Sequence, residues 1–183
     1  VFAAPAMAAV TITAVNNADG TVDITYVADV NVSGFGINVT VDSGAVIADV
    51  CDYVEGESVT GNIGYGIFPG TIDVNTTSGD INDAGTPVAP SGDPGALGGL
   101  GTAGITLEMG ALYVDGNEPP LVGTLCTIVL DCSGASADPT VSLAGNSTRG
   151  NVVKTDSSEA TVVYVGTTAT GCYVPVGPTD CFD

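Results

Sequence analysis

The sequence predicts an all-β protein, folded as an antiparallel β-sandwich. Short runs of alternating apolar and polar residues recur along the chain and are rich in Val, Ile and Thr. Turn signals such as Asp19-Gly20 and Pro69-Gly70 separate them roughly every 8 to 12 residues. The 183 residues include 26 Gly and 10 Pro, which favours turns over long helices.

The clearest strand is 121–132, Leu-Val-Gly-Thr-Leu-Cys-Thr-Ile-Val-Leu-Asp-Cys. Cys126, Ile128, Leu130 and Cys132 share one face, and Leu125, Thr127, Val129 and Asp131 the other. Both faces are apolar near the middle, so it reads as an inner strand covered on both sides. Residues 10–15 form a first strand, and Asn16 to Gly20 a hairpin turn with Asp-Gly at its tip. Val22, Ile24, Tyr26 and Ala28 alternate with Asp23, Thr25 and Val27. Phe35, Ile37, Val39 and Val41 repeat the pattern. Residues 45–51 make another short strand, and 62–75 two more, broken at Pro69-Gly70.

Residues 77–101 lack periodicity and read as a long functional or mobile loop. Within it, Leu97-Gly98-Gly99-Leu100 reads as a single helical turn. Ile105, Leu107 and Met109 resume a strand, and 141–143, 150–153 and 160–165 are the last. The expected organisation is an apolar segment at 1–9, a sandwich over 10–165, and a Gly/Pro/Cys tail or linker over 166–183.

Composition narrows the function. There are 21 acids against two bases, Arg149 and Lys154, a net charge of -19. Nucleic acid and anionic membranes need Lys and Arg, so neither is an expected partner. The same charge is compatible with cations and an exposed, salty environment. Mean hydropathy is nonetheless +0.40, which points to surface buried against neighbours. No apolar run is long enough for a membrane-spanning helix. Histidine is absent, which excludes Cys/His zinc sites and Ser-His-Asp or Cys-His catalysis. Trp is absent and other aromatics are sparse, which argues against a sugar-cleaving cleft. No enzyme is expected.

Five Cys in such a chain fit disulfides in an oxidising compartment. Cys126 and Cys132 lie too far apart along one strand to bond to each other. Cys172 and Cys181 close a short loop and are the expected pair. The two cations are expected in structural ion pairs near the last strands.

The stretch 34–165 resembles a cohesin module, the jelly-roll sandwich of secreted bacterial cell-surface proteins. Four segments carry the resemblance. They are Gly34-Phe35-Gly36-Ile37-Asn38-Val39-Thr40-Val41, Gly123-Thr124-Leu125-Cys126-Thr127-Ile128-Val129-Leu130-Asp131, Pro139-Thr140-Val141-Ser142-Leu143 and Arg149-Gly150-Asn151-Val152-Val153. The resemblance implies a jelly-roll β-sandwich at the bacterial cell surface that binds without catalysis, typically a dockerin through one sheet face. The apolar N-terminal segment, the five Cys and the long loop depart from that pattern.

Further sites are candidates from residue type. Asp73, Asp80 and Asp83, and separately Asp115, Asn117 and Glu118, are oxygen-rich loop clusters suited to Ca²⁺. Neither has full EF-hand spacing, so each also reads as a solvated acidic loop. Asn31, Asn38, Asn75 and Asn146 begin glycosylation sequons, and the Thr-rich runs at 76–78 and 167–170 suit O-linked sugars. Residues 1–9 resemble the end of a secretory signal, with Ala6-Met7-Ala8 as the cleavage pattern. The same stretch (Val1, Phe2, Ala3, Ala4, Pro5, Ala6, Met7) also reads as an uncharged strand that could complete the sheet of an adjacent subunit. The sequence therefore carries two functional expectations. One is an extracellular structural subunit that assembles with copies of itself by strand addition into a filament or surface array. The other is a monomeric recognition module for a dockerin or a surface glycan.

Overall fold

A computed structural model describes residues 9–55, 63–74, 77, 81–83, 85–111 and 118–172. Its strands are β1 (Val10–Asn16), β2 (Thr21–Ala28), β3 (Val32–Val41), β4 (Val46–Cys51), β5 (Asp73–Val74), β6 (Ile81–Asp83), β7 (Gly104–Gly110), β8 (Val122–Asp131), β9 (Thr140–Gly145), β10 (Val152–Lys154), β11 (Val162–Val165) and β12 (Thr167–Thr168). One five-stranded sheet has the order β11-β1-β2-β8-β4. The second hangs on β3, which pairs β7 on one side and β10 and β9 along the other, with β12 beyond β9. The expected β-sandwich is present. One pairing departs from antiparallel: β1 runs parallel to β11.

Alternation builds the core. Val10, Ile12 and Ala14 of β1 and Val22, Ile24, Tyr26 and Ala28 of β2 point inward. Cys126, Ile128 and Leu130 of β8 join them, and β3 answers with Phe35, Ile37, Val39 and Val41. Burying each large aliphatic side chain stabilises the fold by about 1.5–3 kcal/mol. As expected, β8 lies inside its sheet, between β2 and β4, but it is not covered on both faces along its length, since Val122 near its start is 61% exposed. Although aromatics are few, three of them cluster. Tyr26, Phe35 and Tyr65 meet with ring centroids 4.8 to 5.6 Å apart. Tyr26 Oη donates to Pro120 O at 2.6 Å, and burial pushes its pKa up.

Four local expectations change. Of the two strands expected over 62–75, the one after Pro69-Gly70 is β5 (Asp73–Val74), while before that break, among the described residues, only Ile67 bridges, to Gly110. The turn at 97–100 is not helical, because Gly99 and Gly101 adopt positive φ of 87° and 76°. Within the long loop, β6 pairs β5, and Val88 bridges Leu107 at the edge of β7. Residues 166–172 are part of the sandwich: β12 pairs β9, and Ala169 is buried.

The disulfide also differs. Cys172 bonds Cys132, not Cys181, with Cα atoms 5.9 Å apart. Backbone bonds bring this about. Ala169 N donates to Pro139 O, and Asn16 Nδ2 donates to Thr170, so the end of β12 is held beside the end of β8. Cys181 lies outside the described residues. Cys126 is a fully buried thiol, and desolvation pushes its pKa far up.

Tight turns use carboxylates as acceptors. Asp19 accepts from Thr21 Oγ1 and N, Asp131 from Ser133 N, and Asp156 from Ser158 Oγ and N. Asp42 accepts from Thr140 N and Ser43 Oγ. These hydrogen bonds hold all four pKa values below the ordinary range.

Three outcomes follow. The Cys132–Cys172 bond closes a separation of 40 residues, so Cys172→Ser should lower unfolding free energy by about 4 kcal/mol in urea titrations. Ile128→Ala, at a fully buried position, should cost about 3–4 kcal/mol. The turn carboxylates bind protons less readily folded than unfolded. Their contribution is full above about pH 4 and is lost as pH falls through their lowered values. Melting temperature should therefore drop on that acid limb, and Asp131→Asn should flatten it.

Candidate functional site

The outer faces of the two sheets differ. On the β3 sheet, Thr106 and Glu108 of β7 point outward yet are 0% and 6% exposed, because residues 86–98 cover them. Ala89 N donates to Thr106 O and Glu108 N to Pro87 O. Leu97 N donates to Thr106 Oγ1 at 3.0 Å. Thr106 Oγ1 and Asn146 Nδ2 both donate to Asn38 Oδ1, at 2.8 and 2.9 Å, and Asn146 Nδ2 also reaches Gly95 O at 2.8 Å.

Arg149 completes this cover. Its Nη1 lies 3.1 Å from Glu108 Oε1 and its Nη2 3.0 Å from Asp93 Oδ2. The second contact is ionic only, since Nη2 makes no well-directed hydrogen bond. Glycine makes room for the arrangement: a Cβ on Gly36 would fall 2.5 Å from Arg149 O, so only glycine lets the 3₁₀ turn at Ser147–Arg149 lie on β3. The expected ion pairs are found, with Lys154 Nζ 3.8 Å from Asp156 Oδ2.

Among the described residues, nothing covers the outer face of the β1–β2–β8–β11 sheet. Register places Val163 beside Thr11, Thr11 beside Val27, and Val27 beside Val122. Val163, Val27 and Val122 are 47%, 55% and 61% exposed. The next row reads Val165, Thr13, Thr25, Thr124. None of these residues is charged, in a chain whose net charge is -19. Further along, the same face carries Asp23, Asp49 and Asp131. Asp23 is itself held, accepting from Thr127 Oγ1 at 2.8 Å and Asn17 Nδ2 at 3.0 Å. The face is therefore a flat Val/Thr platform with acids along one side.

Sequence alternation already places these side chains outward. It gives no sign that they stay uncovered, because the covering of the other sheet comes from a loop distant in sequence.

The sites expected from residue type land as follows. Asp73 and Asp83 pair in register across β5 and β6. Asp80, Asp115 and Asn117 lie outside the described residues, and Glu118 lies just before Pro119-Pro120 in a partly buried stretch. Among the described residues, no group of three or more Cys, Asp or Glu stands close enough to hold a metal ion. Asn31 is exposed. Asn146 is 4% exposed, and its amide donates inward; Asn38 accepts two hydrogen bonds beside it. Burial leaves no room for a glycan on Asn146 in the folded state, which corrects that sequon. Asn75 and residues 1–8, Val1 to Met7 included, lie outside the described residues.

No protein-family model matches the chain, and no curated protein does. Similar solved structures are cohesin domains and cohesin–dockerin complexes. The CaCohA2 solution structure from Clostridium acetobutylicum is 13% identical, covers 90% of this chain and 92% of its own, and has a TM-score of 0.48. The crystal structure of CaCohA2 in complex with a variant of CaDoc0917 is 13% identical, covers 86% and 95%, and scores 0.45. The Coh-OlpA–Doc918 complex, a type I cohesin–dockerin complex from Clostridium thermocellum, is 14% identical, covers 86% and 94%, and scores 0.46. At these identities the likeness concerns fold alone. No helix among the described residues is long and apolar enough to cross a membrane.

Removing one partner of a buried ion pair leaves an uncompensated charge. Arg149→Met should therefore cost about 3 kcal/mol in denaturant titrations, and pairing it with Glu108→Gln should restore part of the loss. Lys154→Met, at an exposed pair, should cost under about 0.5 kcal/mol.

Proposed function

We propose that the chain is a non-catalytic, extracellular recognition module whose bare sheet binds a protein partner. The observation that supports this is the uncharged Val/Thr platform, left open among the described residues on a strongly acidic molecule whose other sheet is covered. Exposed apolar area on one flat, rigid face favours association. The acids at its border favour a partner with an apolar centre and a Lys/Arg rim, since opposite charges speed and orient docking. The two platform rows carry no aromatic ring to stack on a sugar, so a protein fits them better than a glycan does. The disulfide and the near absence of Lys are consistent with an oxidising, extracellular setting at a cell surface. Calcium has no role in this reading.

Dockerins are partners in similar structures and are the first ligands to try. Immobilised full chain should retain a dockerin-containing or basic-rimmed protein from the native secretome, with saturable 1:1 binding by calorimetry. Val27→Asp and Val122→Asp should each weaken that binding by tenfold or more, about 1.4 kcal/mol, without moving the melting temperature by more than a few degrees. Unchanged affinity in both variants would remove the platform as the binding surface.

A further inference from the structure

The free side of β11 is an open strand edge with a polar cleft beside it. β1 pairs with β11 on one side, and among the described residues no strand lies on the other. Val10 N donates to Thr161 O at 3.1 Å. By the alternation of a parallel ladder, Val163 and Val165 then turn their backbone groups toward β1, and Val162 and Tyr164 turn theirs outward. Those outward groups form no backbone hydrogen bond among the described residues. β11 reads Val-Val-Tyr-Val. It has no Lys, Pro or bulge, the devices that usually block pairing at an edge.

A cleft of about 260 Å³ is lined by Val162 and Tyr164 with Gly145, Asn151, Glu159 and Ala160. A Cβ on Gly145 would fall 2.6 Å from Asn151 Oδ1 and 2.7 Å from Tyr164 Oη, so glycine is what lets both oxygens converge here. Asn151 Nδ2 donates to Glu159 Oε1 at 2.6 Å, which holds the carboxylate at the cleft. Burial, and then the charge of Glu159, push the Tyr164 pKa up. The chain supplies Glu159 with no cationic side chain. Its two bases are engaged elsewhere, Arg149 with Glu108 and Asp93, and Lys154 with Asp156. A carboxylate placed in a cleft and left without a counter-charge favours a cation from another molecule.

An added strand would use edge and cleft together. Side chains directly opposite one another on neighbouring strands share a face. Val162 and Tyr164 pack toward the core, while Val163 and Val165 face out, 47% and 42% exposed. A residue opposite Val162 or Tyr164 therefore points to the cleft, and its neighbours point outward beside Val163 and Val165. A Lys or Arg suits the cleft position, with its apolar stem along Val162 and its charge at Glu159. Uncharged β-branched residues suit the positions on either side.

We infer that the free edge of β11 accepts an extended segment of a partner protein as an added strand, with a Lys or Arg side chain seated at Glu159. This goes beyond recognition by the platform, because backbone groups and the cleft carry it.

The probe is a fluorescein-labelled peptide, Thr-Val-Lys-Val-Thr amide, titrated into the full chain and read by polarisation. Binding should saturate, and added NaCl should weaken it. A peptide with Leu for the central Lys should bind about fivefold more weakly, the weight of one ion pair, and one with Glu more weakly still. Glu159→Gln keeps an acceptor for Asn151 and should abolish the preference for Lys over Leu. Val162→Pro removes an outward N–H and should weaken every peptide by about tenfold or more, with circular dichroism as the check on its fold. Hydrogen exchange followed by NMR reads the edge without any variant. The Val162 and Tyr164 amides should exchange freely in the chain alone and slow at saturating peptide. Val27→Asp, on the platform, should leave peptide affinity almost unchanged, so a failed platform and a failed edge are told apart. Three results would each overturn the inference: no saturation up to millimolar peptide with both amides unmoved, equal affinity for the Lys, Leu and Glu peptides, or amides already protected in the chain alone. The last would mean that the chain covers its own edge.

Discussion

The bridge from Glu108 through Arg149 to Asp93 is the interaction on which the asymmetry of this molecule depends. Arg149 is one of two bases in the chain, and it lies between a carboxylate on β7 and one in the loop at 86–98. A Glu on an outward position of β7 would ordinarily face water. Here it is buried, and the guanidinium is what makes that burial tolerable. The amide and hydroxyl groups of Asn38, Thr106 and Asn146 extend the same seam. Together they fasten a Gly/Pro-rich segment with little regular structure of its own across the β3 sheet.

One sheet is thereby covered, while among the described residues the outer face of the other is bare. The bare sheet holds its Val and Thr residues in rows fixed by strand register. A rigid face loses little conformational entropy when a partner docks. The acids that give the chain its charge are not on the two uncharged rows, so the platform is a local exception to the field of the whole molecule. The edge of β11 is a second exception, where backbone groups and not side chains are left open. The two features lie on the same sheet: Val163 and Val165 belong to the platform, and Val162 and Tyr164 turn their backbone groups to the edge.

Most of the sandwich is legible in the sequence. The period of two in β1, β2, β3, β7 and β8 identifies both the strands and their inward faces, because successive side chains of a pleated strand point to opposite faces and turning Ile24 inward turns Thr25 outward. The departures have a common cause. The loop at 77–101 has no period, and its order comes from bonds to β7 and to Arg149, which are remote in sequence. Sequence proximity favours Cys181 as the partner of Cys172, while strand pairing of β12 on β9 brings Cys172 to Cys132. Asn146 reads as a sequon because Asn-x-Ser/Thr carries no information on burial. Its amide is instead a buried link to Asn38 and Gly95.

The sequence sets the class of the molecule: strands, turns, an apolar interior of Val, Ile and Leu, and a strongly acidic chain. Those properties follow from local alternation and from composition, which need no knowledge of distant contacts. Only the tertiary structure decided which sheet is covered, which cysteines meet, and which strand edge is left unpaired. Each of these depends on long-range pairing, β1 beside β11 and loop 86–98 on β7, and a residue's neighbours across such pairings are not written in its neighbours along the chain.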